Sequence, residues 1–252
     1  MNKIIKRIAA VCLCIIIGTT SVLCVSADTP KFDTGVISDN GSEYESYINS
    51  LSDDDVERMN DKLSRVQSIE KQIIQDNVNF KINGTKSSPY KIDIPGTFTI
   101  YYQSTSYYCV PASVKSVLQY INGSSSSQST IARALDTTTS GTSMSKVPEY
   151  LNKKQDDCIY LLKNYPSQSS MCAAIYSTIT NDKDPCIMGI TDKTGNYWGY
   201  YATDGHALVV NAIYSDKSKI QFADPLGAED NIPSFYTKYA SNVSHVCNSI
   251  IY

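Results

Sequence analysis

The feature that most constrains the fold of this 252-residue chain is a pair of apolar segments joined by a short polar turn. Residues 205–214 are rich in β-branched and aliphatic side chains, a composition typical of a buried strand. Residues 215–218 have the composition of a turn, and residues 219–224 form the predicted return strand. We therefore predict an antiparallel hairpin with its turn centred at residue 215.

This hairpin brings an imidazole next to a carboxylate. Folding His206 onto Asp224 places the two residues opposite each other, with same-face Cβ atoms roughly 5 Å apart. A carboxylate at that distance can orient a histidine that acts as a general base. The chain has two histidines, and His245 has no such partner pattern, so we predict that it is a structural strand residue. Asp204 and Asn211 are reserve candidates for the orienting role.

A cysteine stands at the start of a predicted helix. Pro111 suits the first turn, since its missing N–H would be unpaired there, and Gly123 is a natural C-terminal stop. One buried stripe is predicted from apolar residues at helical spacing, namely Val114, Val117, Leu118 and Ile121. The positive end of the helix dipole favours a thiolate. Cys109 is therefore predicted to be a nucleophile rather than an inert core thiol.

An amide donor precedes this cysteine by six residues. Gln103, together with the backbone N–H of Cys109, would form an oxyanion hole beside the nucleophile. A thiol, an imidazole, a carboxylate and an amide donor are the four groups that thiol-based acyl transfer requires. This chemistry implies no cofactor, and the chain downstream of residue 27 has no C-x-x-C spacing that would indicate a metal site.

Three segments carry a resemblance to papain-like cysteine peptidases, namely residues 103–113, the run Gly205-His206-Ala-Leu-Val-Val and the run Phe222-Ala-Asp224-Pro225. More narrowly, the chain resembles the double-glycine leader (bacteriocin-processing) peptidase family and its free-standing relatives, over about residues 96–252. The resemblance implies Cys109 as nucleophile, His206 as base, Asp224 as orienting carboxylate and Gln103 in the oxyanion hole. The chain itself has no ATP-binding motif of the kind found in relatives that are fused to an exporting transporter.

The predicted fold class is therefore α+β, with an N-terminal helix that carries Cys109 packed on an antiparallel sheet that carries His206 and Asp224. The predicted function is hydrolysis of amide bonds in a peptide or protein substrate. A cell-wall amidase or a transglutaminase-like acyl transferase would use the same triad. A catalytically idle binding protein on this scaffold is the alternative from another functional class.

Aromatic residues cluster in the segment before the predicted base, residues 192–204. Tyr197 and Trp198, the sole tryptophan, are candidates for a wall of the substrate cleft. Their rings could instead pack on the sheet, because aromatic residues are also favoured in strands. Tyr108, beside the nucleophile, is the candidate for the opposite lip of the cleft.

The first 27 residues have the pattern of a secretory signal peptide. A basic start is followed by an apolar stretch over residues 8–25 and by the small-residue site Val25-Ser26-Ala27. An uncleaved membrane anchor is the alternative, although polar residues 19–21 weaken a membrane span. We therefore expect a secreted, extracellular protein with a signal in the bacterial style and no stable membrane insertion after cleavage.

Removal of this signal changes the cysteine count and the charge. Five of the eight cysteines remain, an odd number that predicts one free reactive thiol and up to two disulfides among the other four. Those four are Cys158, Cys172, Cys186 and Cys247, and three pairings are possible. The remaining chain has 19 basic and 25 acidic residues, a net charge of −6, without a basic patch. Nucleic acid is therefore not a predicted partner.

Residues 28–95 form a predicted acidic extension before the catalytic domain of residues 96–252. Ser52 and the acids at 53–55 cap a helix. Its apolar side chains follow spacings of three and four, namely Val56, Met59, Leu63, Val66, Ile69 and Ile73. This helix is predicted to be a brace on the catalytic domain or, alternatively, part of a propeptide that covers the cleft.

Overall fold

The structure is a computed structural model that describes residues 31–32, 36–37, 42–83, 88–227 and 232–252. The predicted signal peptide, residues 1–27, lies outside the described residues. Within the described part of the chain, no helix is long and apolar enough to cross a membrane.

The described chain alternates helices with short strands. The α-helices are α1 (Ser42–Ser50), α2 (Asp53–Asn83), α3 (Cys109–Asn122), α4 (Gln128–Ala134), α5 (Val147–Asn152), α6 (Gln168–Ser177) and α7 (Ala240–Val246). The strands are β1 (Lys31–Phe32), β2 (Val36–Ile37), β3 (Lys91–Asp93), β4 (Thr142–Ser143), β5 (Leu162–Asn164), β6 (Cys186–Asp192), β7 (Ala202–Tyr214), β8 (Lys219–Ala223), β9 (Phe235–Tyr239) and β10 (Cys247–Ile251).

One mixed sheet of eight strands organises the described residues. Its main path runs β5-β10-β6-β7-β8-β9, and every neighbouring pair on that path is antiparallel. The 13-residue strand β7 is central, since β3 also pairs with it antiparallel and β1 pairs with it in parallel. The predicted hairpin is therefore present as β7 and β8.

Both faces of this sheet are covered. Leu208 and Val210 pack into a core that includes side chains of α2, α6 and α7. Ala207 and Val209 pack into a second core with α3, α4 and α5. A strand buried on both faces reads as a continuous apolar run rather than an alternating one. This arrangement confirms the α+β fold class, with the cysteine-bearing helix on an antiparallel sheet.

Helix α3 begins and ends where the sequence predicts. Its first residue is Cys109, and Gly123 follows its last residue with a φ of 68°. That left-handed conformation is one that glycine adopts without strain, so the helix stops there. The predicted stripe is buried through Val114, Val117 and Leu118, while Ile121 is half-buried against the same core.

One local prediction was wrong. His245 lies in the last turn of α7 rather than in a strand.

Helix α2 is joined to the rest of the described fold by a buried ion pair. Lys62 of α2 is almost fully buried, donates to the carbonyl of Ile159 at 2.9 Å and lies 2.9 Å from a carboxylate oxygen of Asp182. Arg65 reaches the other oxygen of that carboxylate at 2.8 Å from a half-exposed position. Val66 is part of the larger core. Helix α2 is therefore packed as an integral part of the described fold.

We expect Lys62→Ala to lower the free energy of unfolding by about 3–5 kcal/mol, because it leaves the Asp182 carboxylate and a carbonyl without their buried cation. Arg65→Ala is the matched control on the same carboxylate. Its cation is partly exposed to water, so its loss should cost about 1 kcal/mol or less. Urea unfolding followed by circular dichroism measures both values, and equal losses would contradict this assignment.

The five cysteines of the described residues are all free thiols. The expectation of up to two disulfides is therefore not met in this structure. Burial raises the pKa of Cys172, Cys186 and Cys247 to about 12 each. Burial also raises the pKa of Cys158 far above its ordinary range. These four thiols are consequently unreactive members of the core at neutral pH.

Candidate active site

Cys109 stands where helix α3 meets the strand that carries His206. The helix has no side-chain cap at its N-terminus, since Tyr108 occupies the capping position without a capping hydrogen bond. Ser113, one turn into the helix, donates to the carbonyl of Ala207 at 3.4 Å. This contact, together with the packing of Cys109 against Ala207 in one core, fixes the start of α3 beside His206.

His206 and Asp224 are in direct contact. The Nε2 atom of His206 lies 2.8 Å from Oδ1 of Asp224, and both side chains are completely buried. When Asp224 is ionised it can only accept, and Nε2 then carries the proton of this hydrogen bond. Neither reserve candidate takes this place, because Asp204 faces Lys193 at the surface and Asn211 is a separate buried residue of β7.

The register of the hairpin differs from the predicted one. Val209 pairs with Ala223, so the residue opposite Asp224 is Leu208 rather than His206. The pairing of Ile213 with Ile220 centres the turn between residues 216 and 217 rather than at 215, which accounts for the offset, and the register shift between Val210 and Ala212 reduces it by one residue. Side chains two residues apart on facing strands remain diagonal neighbours within reach of a ring. The predicted contact therefore forms on a diagonal rather than across the ladder.

The pair is held in its charged form. Burial alone would lower the pKa of His206, but the charge and hydrogen bond of Asp224 outweigh it and raise the pKa from 6.5 to about 10. The nearby sulfur of Cys109 raises it further. Burial would raise the pKa of Asp224, yet His206 and the surrounding donors lower it.

The second ring nitrogen of His206 is available for the nucleophile. Nδ1 is buried and has no hydrogen-bond partner within the described part of the chain. Because Nε2 is engaged by Asp224, the interaction of the ring with Cys109 falls to this nitrogen. A thiol of α3, an imidazole of β7 and a carboxylate after β8 thus lie at one place in the fold.

Gln103 is tied to the same site through its backbone. Its N–H donates to the carbonyl of Pro225, the residue after Asp224, at 2.8 Å. In the side chain, Nε2 donates to the carbonyl of Ser106 at 3.2 Å, whereas Oε1 is buried and makes no hydrogen bond to a described residue. One hydrogen of the amide nitrogen remains for another acceptor.

The aromatic segment before β7 does not form the predicted cleft wall. Trp198 is completely buried, and its ring packs edge-on against Phe222 at 5.1 Å and Tyr236 at 5.8 Å. Tyr197 is exposed and stacks on His245 at a centroid distance of 4.3 Å. The alternative in which the tryptophan ring packs on the sheet is therefore the correct one.

A buried carboxylate explains why this segment turns inward. Asp192 accepts hydrogen bonds from the backbone N–H groups of Gly195, Tyr197 and Trp198 at 2.8–2.9 Å. These bonds fold the chain tightly after β6 and direct the indole into the core. The sequence signal for this turn is an aspartate followed by Thr194 and Gly195, a combination typical of side-chain-stabilised turns.

Three further residues contact the carboxylate of the site. Tyr201 and Tyr236 each donate a phenolic hydrogen bond to Oδ2 of Asp224, at 2.7 and 2.6 Å. The backbone N–H of Leu226 donates to Oδ1 at 2.9 Å. Sequence reasoning missed both tyrosines, and no spacing or composition among 19 tyrosines distinguishes them.

The site is closed to solvent in this state. Cys109 and His206 have 0% exposed surface, and Val36 of β2 packs partly buried against the core that contains Cys109. Strand β1 pairs with residues 202–203 of β7, and β2 pairs with residues 142–143 of β4. The chain before α1 thus contacts both the strand of His206 and the connection between α4 and α5.

Asp224 determines how stability should depend on pH. A raised pKa means that protonated His206 stabilises the fold fully below about pH 6.5, and that this contribution falls as pH rises towards 10. In a Cys109→Ala background, where the thiol cannot titrate, we expect a loss of about 2 kcal/mol between pH 7 and 9. Asp224→Asn in that background should remove most of this loss.

Urea titrations at the two pH values measure this difference. Asp61→Asn, an exposed change on α2, is the matched control and should retain the slope of its parent. An unchanged slope in Asp224→Asn would show that the carboxylate does not hold the proton of His206.

The family model described as the Peptidase_C39-like family matches residues 96–244. No curated protein matches significantly.

Among solved structures, xylellain, a cysteine protease from Xylella fastidiosa, aligns with a TM-score of 0.52 and 12% identity, over 90% of this chain and 98% of that one. The peptidase domain of ComA from Streptococcus, a bi-functional ABC transporter involved in a quorum sensing pathway, aligns with a TM-score of 0.43 and 14% identity, over 62% of this chain and 97% of that domain. At these identities, the likeness to xylellain establishes the papain-like fold alone.

Proposed function

The chain belongs to the Peptidase_C39-like family, and we propose that this cysteine peptidase hydrolyses peptide bonds with Cys109 as nucleophile, His206 as base and Asp224 as orienting carboxylate. The observation that supports this most is the 2.8 Å contact between His206 Nε2 and Asp224, which leaves Nδ1 of the ring for the thiol. A buried ring nitrogen without a hydrogen-bond partner is unfavourable in a purely structural role, and its position near a buried thiol is typical of a functional site.

The reaction begins from an ion pair between the Cys109 thiolate and the His206 imidazolium. The raised pKa of His206 keeps the ring protonated at neutral pH, and the N-terminus of α3 stabilises the negative sulfur. The thiolate attacks the carbonyl carbon of the substrate. His206 then protonates the leaving amine from Nδ1, and water activated by the neutral ring releases the acyl group.

Gln103 is assigned to the oxyanion hole in this proposal. Its backbone bond to Pro225 fixes it to the segment that holds Asp224, and its amide nitrogen retains one hydrogen for a substrate oxygen. The second donor is the backbone N–H of Cys109. Losing one donor of such a hole typically lowers the turnover rate by about 10²–10³.

We expect Cys109→Ala to abolish cleavage of a randomised peptide library, because it removes the proposed nucleophile. Cys186→Ala is the matched control, since it removes a thiol that is also 0% exposed, from the other core, and should cleave at the wild-type rate. Gln103→Ala should cleave, with a turnover rate lower by about 10²–10³. Mass spectrometry of the digests gives the rates and the cleaved bonds.

The same digests distinguish the alternatives. Cleavage that persists in Cys109→Ala would contradict the proposed mechanism. Amine-linked products formed with an added primary amine would indicate an acyl transferase, and release of peptide stems from cell-wall fragments alone would indicate an amidase. A Cys109 that reacts with iodoacetamide only near the ordinary thiol pKa of about 8.5 would favour a binding protein.

We further propose that the protein is exported and that α2 acts as a brace. The apolar segment and small-residue site before Asp28 support export. The buried Lys62–Asp182 pair supports the brace, because removing α2 would leave that carboxylate and the adjoining core exposed. If α2 is retained as a brace, the part of the extension that could be removed as a propeptide is the chain before α1.

N-terminal sequencing of protein from the culture medium tests both parts. We expect a mature start at Asp28 and a chain that retains α2. Full peptidase activity from that start would end the propeptide alternative, whereas a start near Ser42 accompanied by higher activity would support it. Protein found only in the cells, with residues 1–27 intact, would contradict export.

A further inference from the structure

The carboxylate of Asp224 has more hydrogen-bond partners than an orienting role requires. Oδ1 accepts from His206 and from the N–H of Leu226, and Oδ2 accepts from the phenols of Tyr201 and Tyr236. Each of the two carboxylate oxygens thus accepts two hydrogen bonds. The two phenols come from different segments, Tyr201 from the residue before β7 and Tyr236 from β9.

A buried histidine–carboxylate pair can hold its shared proton in two places. With the proton on the ring the pair is charge-separated, and with the proton on the carboxylate both groups are neutral. Desolvation favours the neutral form, because a buried charge costs free energy. Hydrogen bonds donated to the anion favour the charged form.

We propose that Tyr201 and Tyr236 are positioning residues that keep the shared proton on His206 rather than on Asp224. This inference rests on the proposed function, because it concerns the same site. It holds that the two phenols determine the protonation state of the His206 ring. Each phenol donates a bond that exists at full strength only while Asp224 is an anion. The ring is thereby kept as the imidazolium that pairs with the thiolate.

The surroundings support a specific role for these hydroxyls. Tyr201 has 0% and Tyr236 6% exposed surface, so water does not substitute for either phenol. Burial, followed by the Asp224 charge, raises the pKa of both phenols far above their ordinary range, which keeps them as donors. The titratable groups that face Asp224 are His206 and these two tyrosines, with Cys109 on the far side of the ring.

The test reads the protonation of the ring directly. The chain has two histidines, so His245→Gln leaves His206 as the single reporter for nitrogen NMR of ¹⁵N-labelled histidine. Cys109→Ala in the same full-length chain removes the thiolate, so that the carboxylate alone holds the proton. At pH 7 we expect both ring nitrogens to show the imidazolium signature in this background.

Replacing the two phenols should move the proton. Tyr201→Phe combined with Tyr236→Phe is expected to convert most of the His206 signal to that of a neutral ring, and each single change should give an intermediate signal. The singles keep the measurement decisive if the double variant does not fold. Tyr160→Phe is the matched control, since Tyr160 is fully buried and its hydroxyl donates to the Pro185 carbonyl at 2.8 Å, away from Asp224.

With Cys109 and His245 intact, each single Phe variant should lower kcat by about tenfold or more without raising KM, because the ring must donate a proton to the leaving amine. An imidazolium signature unchanged in all tyrosine variants would overturn the inference, as would equal effects of Tyr160→Phe. If the wild-type protein cleaves no peptide while the tyrosine variants show the expected NMR changes, the proposed function is wrong and the role of the tyrosines is retained.

Discussion

The buried charge of Asp224 is the constraint on which the rest of the described structure depends. A carboxylate removed from water is tolerated only when nearby donors replace its hydration. Here the donors come from His206, Tyr201, Leu226 and Tyr236, which lie on or beside β7, β8 and β9. These strands must be in register for the carboxylate to be satisfied. The pairing of these strands therefore builds the site as well as the sheet.

Much of this arrangement follows from local sequence. The hairpin of β7 and β8 and the helix α3 are long segments with a clear period and clear ends, so their existence and their contents could be predicted. The contact of His206 with Asp224 was predicted from the hairpin alone. Its diagonal geometry was not, because the composition of residues 215–218 predicts a turn without fixing the residue at which it is centred.

Other features depend on contacts between distant residues. Trp198 enters the core because Asp192 binds three backbone N–H groups after it, and the strength of that turn is not visible in residue type alone. The disulfide expectation came from the parity of the cysteine count, whereas pairing depends on where the fold places each thiol. The phenols of Tyr201 and Tyr236 meet one carboxylate only through the pairing of β8 with β9.

The burial of Cys109 has a chemical consequence outside catalysis. Oxidation of a cysteine to sulfenic acid requires both thiolate character and contact with the oxidant. In the closed site the sulfur has no surface through which peroxide could reach it. The enclosed sulfur is therefore protected from peroxide, and any opening that lets a peptide reach it exposes it to oxidation as well.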